Sequence, residues 1–201
     1  MKRLLAVFCA LALLCSLAAC GGGGSPKQTV AAFFDAAKKI DIEGMNACLT
    51  ADEALTWDLD NPTLDKNTPG LADLLRTFAG KLGCRIDSCT KNGDVASADV
   101  TVTYVDASFA VKDAMTDVMA DLLATLFGGQ SETDPQTLLI EAIREKAENE
   151  TLPEKTAQLT LELQKTDDGW KISALPEALM NMLTGNAADA FEDAVQALTK
   201  Q

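Results

Sequence analysis

Histidine is missing from all 201 residues. Its absence removes Ser-His-Asp and Cys-His nucleophile chemistry, and His-ligated zinc with them. Tyrosine occurs once, so the aromatics with a polar tip reduce to Trp57, Tyr104 and Trp170. Basic residues are scarce as well: 17 face 30 acidic ones, a net charge of −13. A polyanion is a poor partner for nucleic acid and is repelled by anionic lipid at close range. The charge reads as a solvated acidic surface, with a cationic envelope partner as the alternative. Long hydrophobic runs are also lacking. The apolar stretch from Leu4 to Leu14 falls well short of the roughly 20 residues that a membrane-spanning helix needs.

What that stretch does offer is a targeting segment. Lys2 and Arg3 supply a positive start, the apolar run follows, and small residues lead to Cys20. Leu17-Ala18-Ala19-Cys20 resembles the lipobox of bacterial lipoproteins. The resemblance implies a diacylglyceryl group on the Cys20 sulfur and cleavage between Ala19 and Cys20. Two acyl chains suffice for stable anchoring where one is marginal. Residues 1–19 are then a signal peptide, residues 20–25 a lipidated cysteine with a glycine-rich tether, and residues 26–201 a single domain. Gly21 to Ser25 form a flexible leash with a reach of about 12 Å. Loss of the leader takes Lys2 and Arg3 with it, so 15 basic residues face 30 acidic ones, a net charge of −15. Cys9 and Cys15 leave too. Cys48, Cys84 and Cys89 remain, enough for at most one disulfide, and none sits in a CxxC motif.

Ser25-Pro26-Lys27-Gln28 carries a capping box with proline at the first helical position. Val30, Phe33, Phe34, Ala37 and Ile40 recur behind it at helical spacing. A second short helix starts at Asp41, with Ile42, Met45, Cys48 and Leu49 on one face; Cys48 reads as a small core residue or as a disulfide partner. The acidic loop over 58–70 tempts a calcium reading, but Pro62 falls on a ligand position and the required glycine is missing. No metal or cofactor is expected. A helix over 71–82 follows, and then the period changes to two.

Cys84 to Cys89 and Val95 to Val105 flank a turn at Lys91-Asn92-Gly93-Asp94. A three-residue loop joins one apolar face, pairing Ile86 with Val100 and Cys84 with Val102. Cys84 and Cys89 then point to opposite faces unless a bulge intervenes. Over 109–127 the stripe Met115, Val118, Met119, Leu122, Leu123, Leu126 predicts a helix buried on that side. Asp113, Asp117 and Asp121 form a like-charge row expected to face solvent, or else a metal ladder. Gly128-Gly129 breaks this helix, and Asp134-Pro135 starts another that runs to about Glu148. Ala157 to Gln164 alternate as a half-buried strand, which Thr166 to Gly169 turn so that Leu163 meets Ile172. Helices over 176–183 and 186–198 close the chain.

These elements predict an α+β fold: N-terminal helices on a curved antiparallel sheet, with a helical insertion between hairpins. "TVAAFFDAAKKIDIEGM", "NGDVASADVTVTYVD" and "DDGWKI" resemble the nuclear transport factor 2-like (cystatin-like) cone. More closely, they resemble lipoproteins of Gram-positive gut bacteria that carry that cone and whose function is unknown. The resemblance implies localisation at the cell membrane, lipid-anchored on the extracytoplasmic side. It also implies a cavity between sheet and helices, for which Trp57, Tyr104 and Trp170 are candidate lining residues or plain core packing.

Three functions are compatible with this reading. The first is a non-catalytic binding module with a small apolar pocket. The second is an envelope docking module that takes a basic protein partner. The third is an isomerase-like or hydrolase-like enzyme on the same cone. Ketosteroid isomerases, which share the cone, pair a carboxylate base with oxyanion donors that include a tyrosine. Tyr104 would face inward here, yet no acid matches their catalytic positions. The expectation is a binding module anchored by Cys20, with no catalytic residue assigned.

Overall fold

The computed structural model describes residues 24–60, 68–126, 134–149, 151–187, 189, 190 and 193. Ala19, Cys20 and the leader, the first three tether glycines, Pro62, Gly128-Gly129 and most of 186–198 lie outside the described residues. Helix α1 spans Pro26–Ala37 and begins as the sequence dictates. The Gln28 N–H donates to the Ser25 hydroxyl, and the Ser25 N–H donates to Gln28 Oε1 at 2.8 Å. Val30, Phe33, Phe34 and Ala37 are buried. The helix stops before Ile40, which takes a left-handed φ of 50° in the turn leading to α2, Ile42–Asn46. Asp41 caps α2 through the N–H of Gly44 at 2.9 Å.

Strands β1 (Gly83–Asn92), β2 (Val95–Val105), β3 (Glu154–Thr166) and β4 (Gly169–Ala174) form one curved, unclosed antiparallel sheet in the order β1-β2-β3-β4. The fold is α+β and cone-like, with α1 against the sheet's concave side and α2 packed on α1. Ile86 faces Val100 and Cys84 faces Val102, as the apolar alternation requires. The connection is shorter than expected, however. Asn92 already pairs with Val95, leaving Gly93, at φ 62°, and Asp94 as a two-residue turn, and a bulge at Asp87 restores the register. That bulge corrects a second expectation. Cys89 pairs with Ala98, so it lies on the same face as Cys84 rather than the opposite one, and the two are separate free thiols. Burial pushes the Cys84 thiol up to about 11, against the nearby Lys38 charge. Leu163 faces Ile172 as expected. Beyond β4 the sheet edge is closed by the chain at Leu49: Ile172 N–H donates to the Cys48 carbonyl at 2.8 Å, and Thr50 N–H donates to the Ile172 carbonyl at 3.0 Å.

The convex face is polar. Asp99 accepts from Ser88 at 2.8 Å and Thr160 at 2.9 Å, and those hydroxyls hold its carboxyl below the ordinary range. Four further helices complete the described chain: α3 (Leu71–Gly80), α4 (Ser108–Leu126), α5 (Pro135–Asn149) and α6 (Glu177–Leu183). Helices α3, α4 and α5 enclose a second core with the end of β2. The expected stripe on α4 holds in part: Val118 is buried and Met115 packs against this core, whereas Met119 and Leu123 do not face inward, and the side chains of Leu122 and Leu126 lie outside the described residues. Ala110, Val111, Ala114 and Val118 face inward, while Phe109 (65%), Met119 (38%) and Leu123 (50%) are exposed. Alanines let the helix approach its neighbours closely, and that contact decides the buried side. Of the aspartate row, Asp117 faces solvent as expected and Asp113 is half-buried, while the Asp121 side chain lies outside the described residues. Asp113 and Asp117 both accept from Lys146 of α5, the latter at 2.9 Å.

Candidate functional site

The expected pocket would lie on the concave side of the sheet. Its centre is closed: Ala98, Val100, Val102, Leu161 and Ile172 have 0% accessible surface, as does Phe33 of α1 above them. Tyr104 and Trp170 belong to that same core but sit at its two ends. Tyr104 pairs with Lys155 and Trp170 with Lys165 on β3, a separation of about 33 Å at the usual strand rise. Lys91 Nζ stands 5.2 Å from the centre of the Trp170 ring. Trp57 is half-buried on the extended segment after the single helical turn Ala51–Glu53. A cavity lined by all three would have to run the length of a sheet whose centre is sealed.

Tyr104 does have polar company. At the junction of β2, α4 and β3, Asp106 is a charged residue exposed to only 5%. It accepts from the Ser108 N–H at 3.1 Å, from the Ser108 hydroxyl and from Lys155 Nζ. Asn186, in a left-handed turn at φ 57°, donates to the Tyr104 hydroxyl at 3.5 Å. Burial pushes the Asp106 carboxyl up, but the Lys155 and Ser108 donors outweigh it and hold it at about 2. A general base is most effective near the working pH. Asp106 is instead a permanent carboxylate that ties three elements together. An Asp-x-Ser ahead of an apolar helical run is a start signal in its own right, and it marks this joint in the sequence.

A second constellation has open space. Between α3 and α5 lies a cavity of about 260 Å³ lined by Asp73, Leu74, Thr77, Arg144, Ala147 and Glu148. Its floor is apolar, since Leu74 and Ala147 are buried in the second core. Arg144 is half-buried and held in place, Nη2 donating to the Gly70 carbonyl at 3.1 Å. Gly70 has φ 79°, a left-handed conformation that favours glycine, and a Cβ there would displace the guanidinium from its present position. Asp73 faces Arg76 at 3.2 Å. Among the described residues, no carboxylate lies within ion-pair distance of Arg144. Neither Arg144 nor Gly70 stands out in the sequence. Their contact joins positions 74 apart, and nothing local encodes it.

No protein-family model matches the chain, and no curated protein matches it. Among solved structures the chain is similar to a candidate lipoprotein (ycdA) from Bacillus subtilis subsp. subtilis str. 168. The identity is 17% over 81% of this chain and 47% of that one, with a TM-score of 0.37. The match thus spans about half of that protein's length. It is also similar to AclR, a candidate hydroxylase from Streptomyces galilaeus, at 15% identity over 82% of this chain and 97% of that one, with a TM-score of 0.34. At this level of likeness the chemistry of the site follows from its own residues alone.

Proposed function

We propose that this chain is a membrane-anchored extracytoplasmic lipoprotein whose folded part is a non-catalytic binding module. The anchor is Cys20 with its diacylglyceryl group. In support, α1 starts at Pro26 under a Ser25 cap, so the fold begins as soon as the glycines end. No helix among the described residues is long and apolar enough to cross a membrane. The binding half rests on one observation: the open cavity beside Arg144, set against a concave sheet face whose centre is sealed. Tyr104 and Trp170 are assigned to core packing. The cavity between α3 and α5 takes the place of the apolar pocket that the cone resemblance implies.

Fractionation of a Gram-positive host expressing the full chain tests the anchor. The wild type should sediment with membranes and incorporate labelled fatty acid, and Cys20→Ser should do neither. Equal labelling of both would remove the lipoprotein assignment. A second reading, docking of a basic envelope protein, is favoured by the exposed Phe109, Met119 and Leu123 on an acidic domain. It predicts an association that weakens with salt and with Phe109→Ser.

A further inference from the structure

We propose that the α3–α5 cavity binds a small zwitterion, a free amino acid or a dipeptide, with its carboxylate on Arg144 and its ammonium towards Asp73 and Glu148. This rests on the binding reading above and names the ligand class for the same cavity.

The charges in the wall make the choice. A guanidinium has five N–H donors. One is used on Gly70, which leaves a planar fork suited to a bidentate carboxylate. An Arg so positioned, with no described carboxylate to pair it, is unusual on a chain in which acids outnumber bases 30 to 17. A simple polyanion is disfavoured, because Asp73 and Glu148 line the same space and would repel it. A simple cation would meet Arg144. A ligand carrying both signs satisfies both walls.

Size and floor agree. About 260 Å³ lies just under the roughly 300 Å³ at which pockets for drug-sized ligands begin. A cavity below that size suits an amino acid or a dipeptide rather than a larger ligand. Leu74 and Ala147 offer an apolar contact for an aliphatic side chain, and the Thr77 hydroxyl, which donates to the Asp73 carbonyl at 2.9 Å, retains an acceptor site. Both carboxylates are exposed, at the mouth of the cavity.

Equilibrium dialysis of the mature lipidated protein in mild detergent tests this, against an amino-acid mixture and a dipeptide mixture read by mass spectrometry. At least one zwitterion should bind saturably at millimolar concentration or below. Its C-terminal amide and its N-acetyl derivative should each bind about tenfold more weakly, the effect of losing one charge-assisted contact. Arg144→Gln should abolish binding. Because that variant also loses the Gly70 contact, Glu148→Gln provides the second arm: it should weaken the zwitterion about tenfold while leaving the N-acetyl derivative unchanged. Preference for amino acids over dipeptides, or the reverse, identifies the source. If the N-acetyl derivative binds as well as the parent, the zwitterion assignment is overturned and the binding module stands. If nothing binds and native mass spectrometry shows the bare lipidated chain, both fall.

Discussion

Around α1 the interior is filled by large side chains: Phe33 meets Phe34 edge-on at 5.6 Å, and Met45, Leu161, Leu163 and Ile172 close the space beneath them. Around α4 it is filled by small ones, Ala107, Ala110 and Ala114, between Phe78, Val111 and Ile143. The first core leaves no accessible surface at the centre of the concave sheet, at Ala98, Val100, Val102, Leu161 and Ile172. The second is backed by a cavity on one side and carries exposed apolar residues on the other face of α4. Large interlocking side chains seal a volume, whereas helix pairs packed through alanines leave grooves at their rims. Stability is concentrated at α1 and the sheet, and access at the helical annex.

Truncation in the sealed core should have the largest effect. Phe33→Ala should lower the unfolding free energy by about 4 kcal/mol, the usual cost of emptying a fully buried aromatic site, read as a lower urea midpoint with an unchanged slope. A loss below about 1 kcal/mol would mean the concave face is not closed, and would erase the contrast between the two regions.

The joint between the regions comes next. In the folded state Asp106 titrates at about 2 instead of 3.8, so the unfolded chain holds that proton more tightly. Its contribution, on the order of 2 kcal/mol, is complete above about pH 4 and is lost as pH falls through 2. Asp106→Asn should therefore be less stable than wild type at neutral pH, and the gap should close in acid. A gap that does not change between pH 6 and pH 2.5 would contradict the ion-paired joint.

The α4–α5 tie is the smallest term. Lys146 has an 18% exposed side chain set between two aspartates, and both carboxylates raise its proton affinity. Lys146→Met keeps the packing of the stem but leaves Asp113 and Asp117 unpaired. Partly exposed pairs of this kind contribute at most about 1 kcal/mol, so the expected sign is faster amide exchange in α5 at low salt, with the difference fading at high salt. No change at any salt would detach the aspartate row from α5.

The same contrast explains what could be read in the sequence. The α1 start, the pairing of Ile86 with Val100 and that of Leu163 with Ile172 are written in local signals: a capping box and strict alternation. The bulge at Asp87 was not legible, because a short turn plus a bulge and a longer loop without one give the same inner register. The buried face of α4 was legible only in part. Apolar residues surround that helix, and the choice among them falls to neighbours that arrive from α3 and α5. Arg144 reads as an ordinary helix-surface arginine until Gly70, a left-handed glycine from another helix start, meets it. The site in the annex is made by long-range contacts, and the sealed cone by local periodicity.

Hydrogen–deuterium exchange on the mature lipidated protein, with and without the amino-acid mixture, tests the division between sealed cone and open annex most directly. The account predicts that the centres of β2 and β3, around 98–102 and 159–163, exchange slowest and do not respond, while added ligand slows exchange over 70–77 and 144–148. Ligand-dependent protection along 96–104 and 161–172, with none in α3 or α5, would place the binding site in the cone and contradict the account.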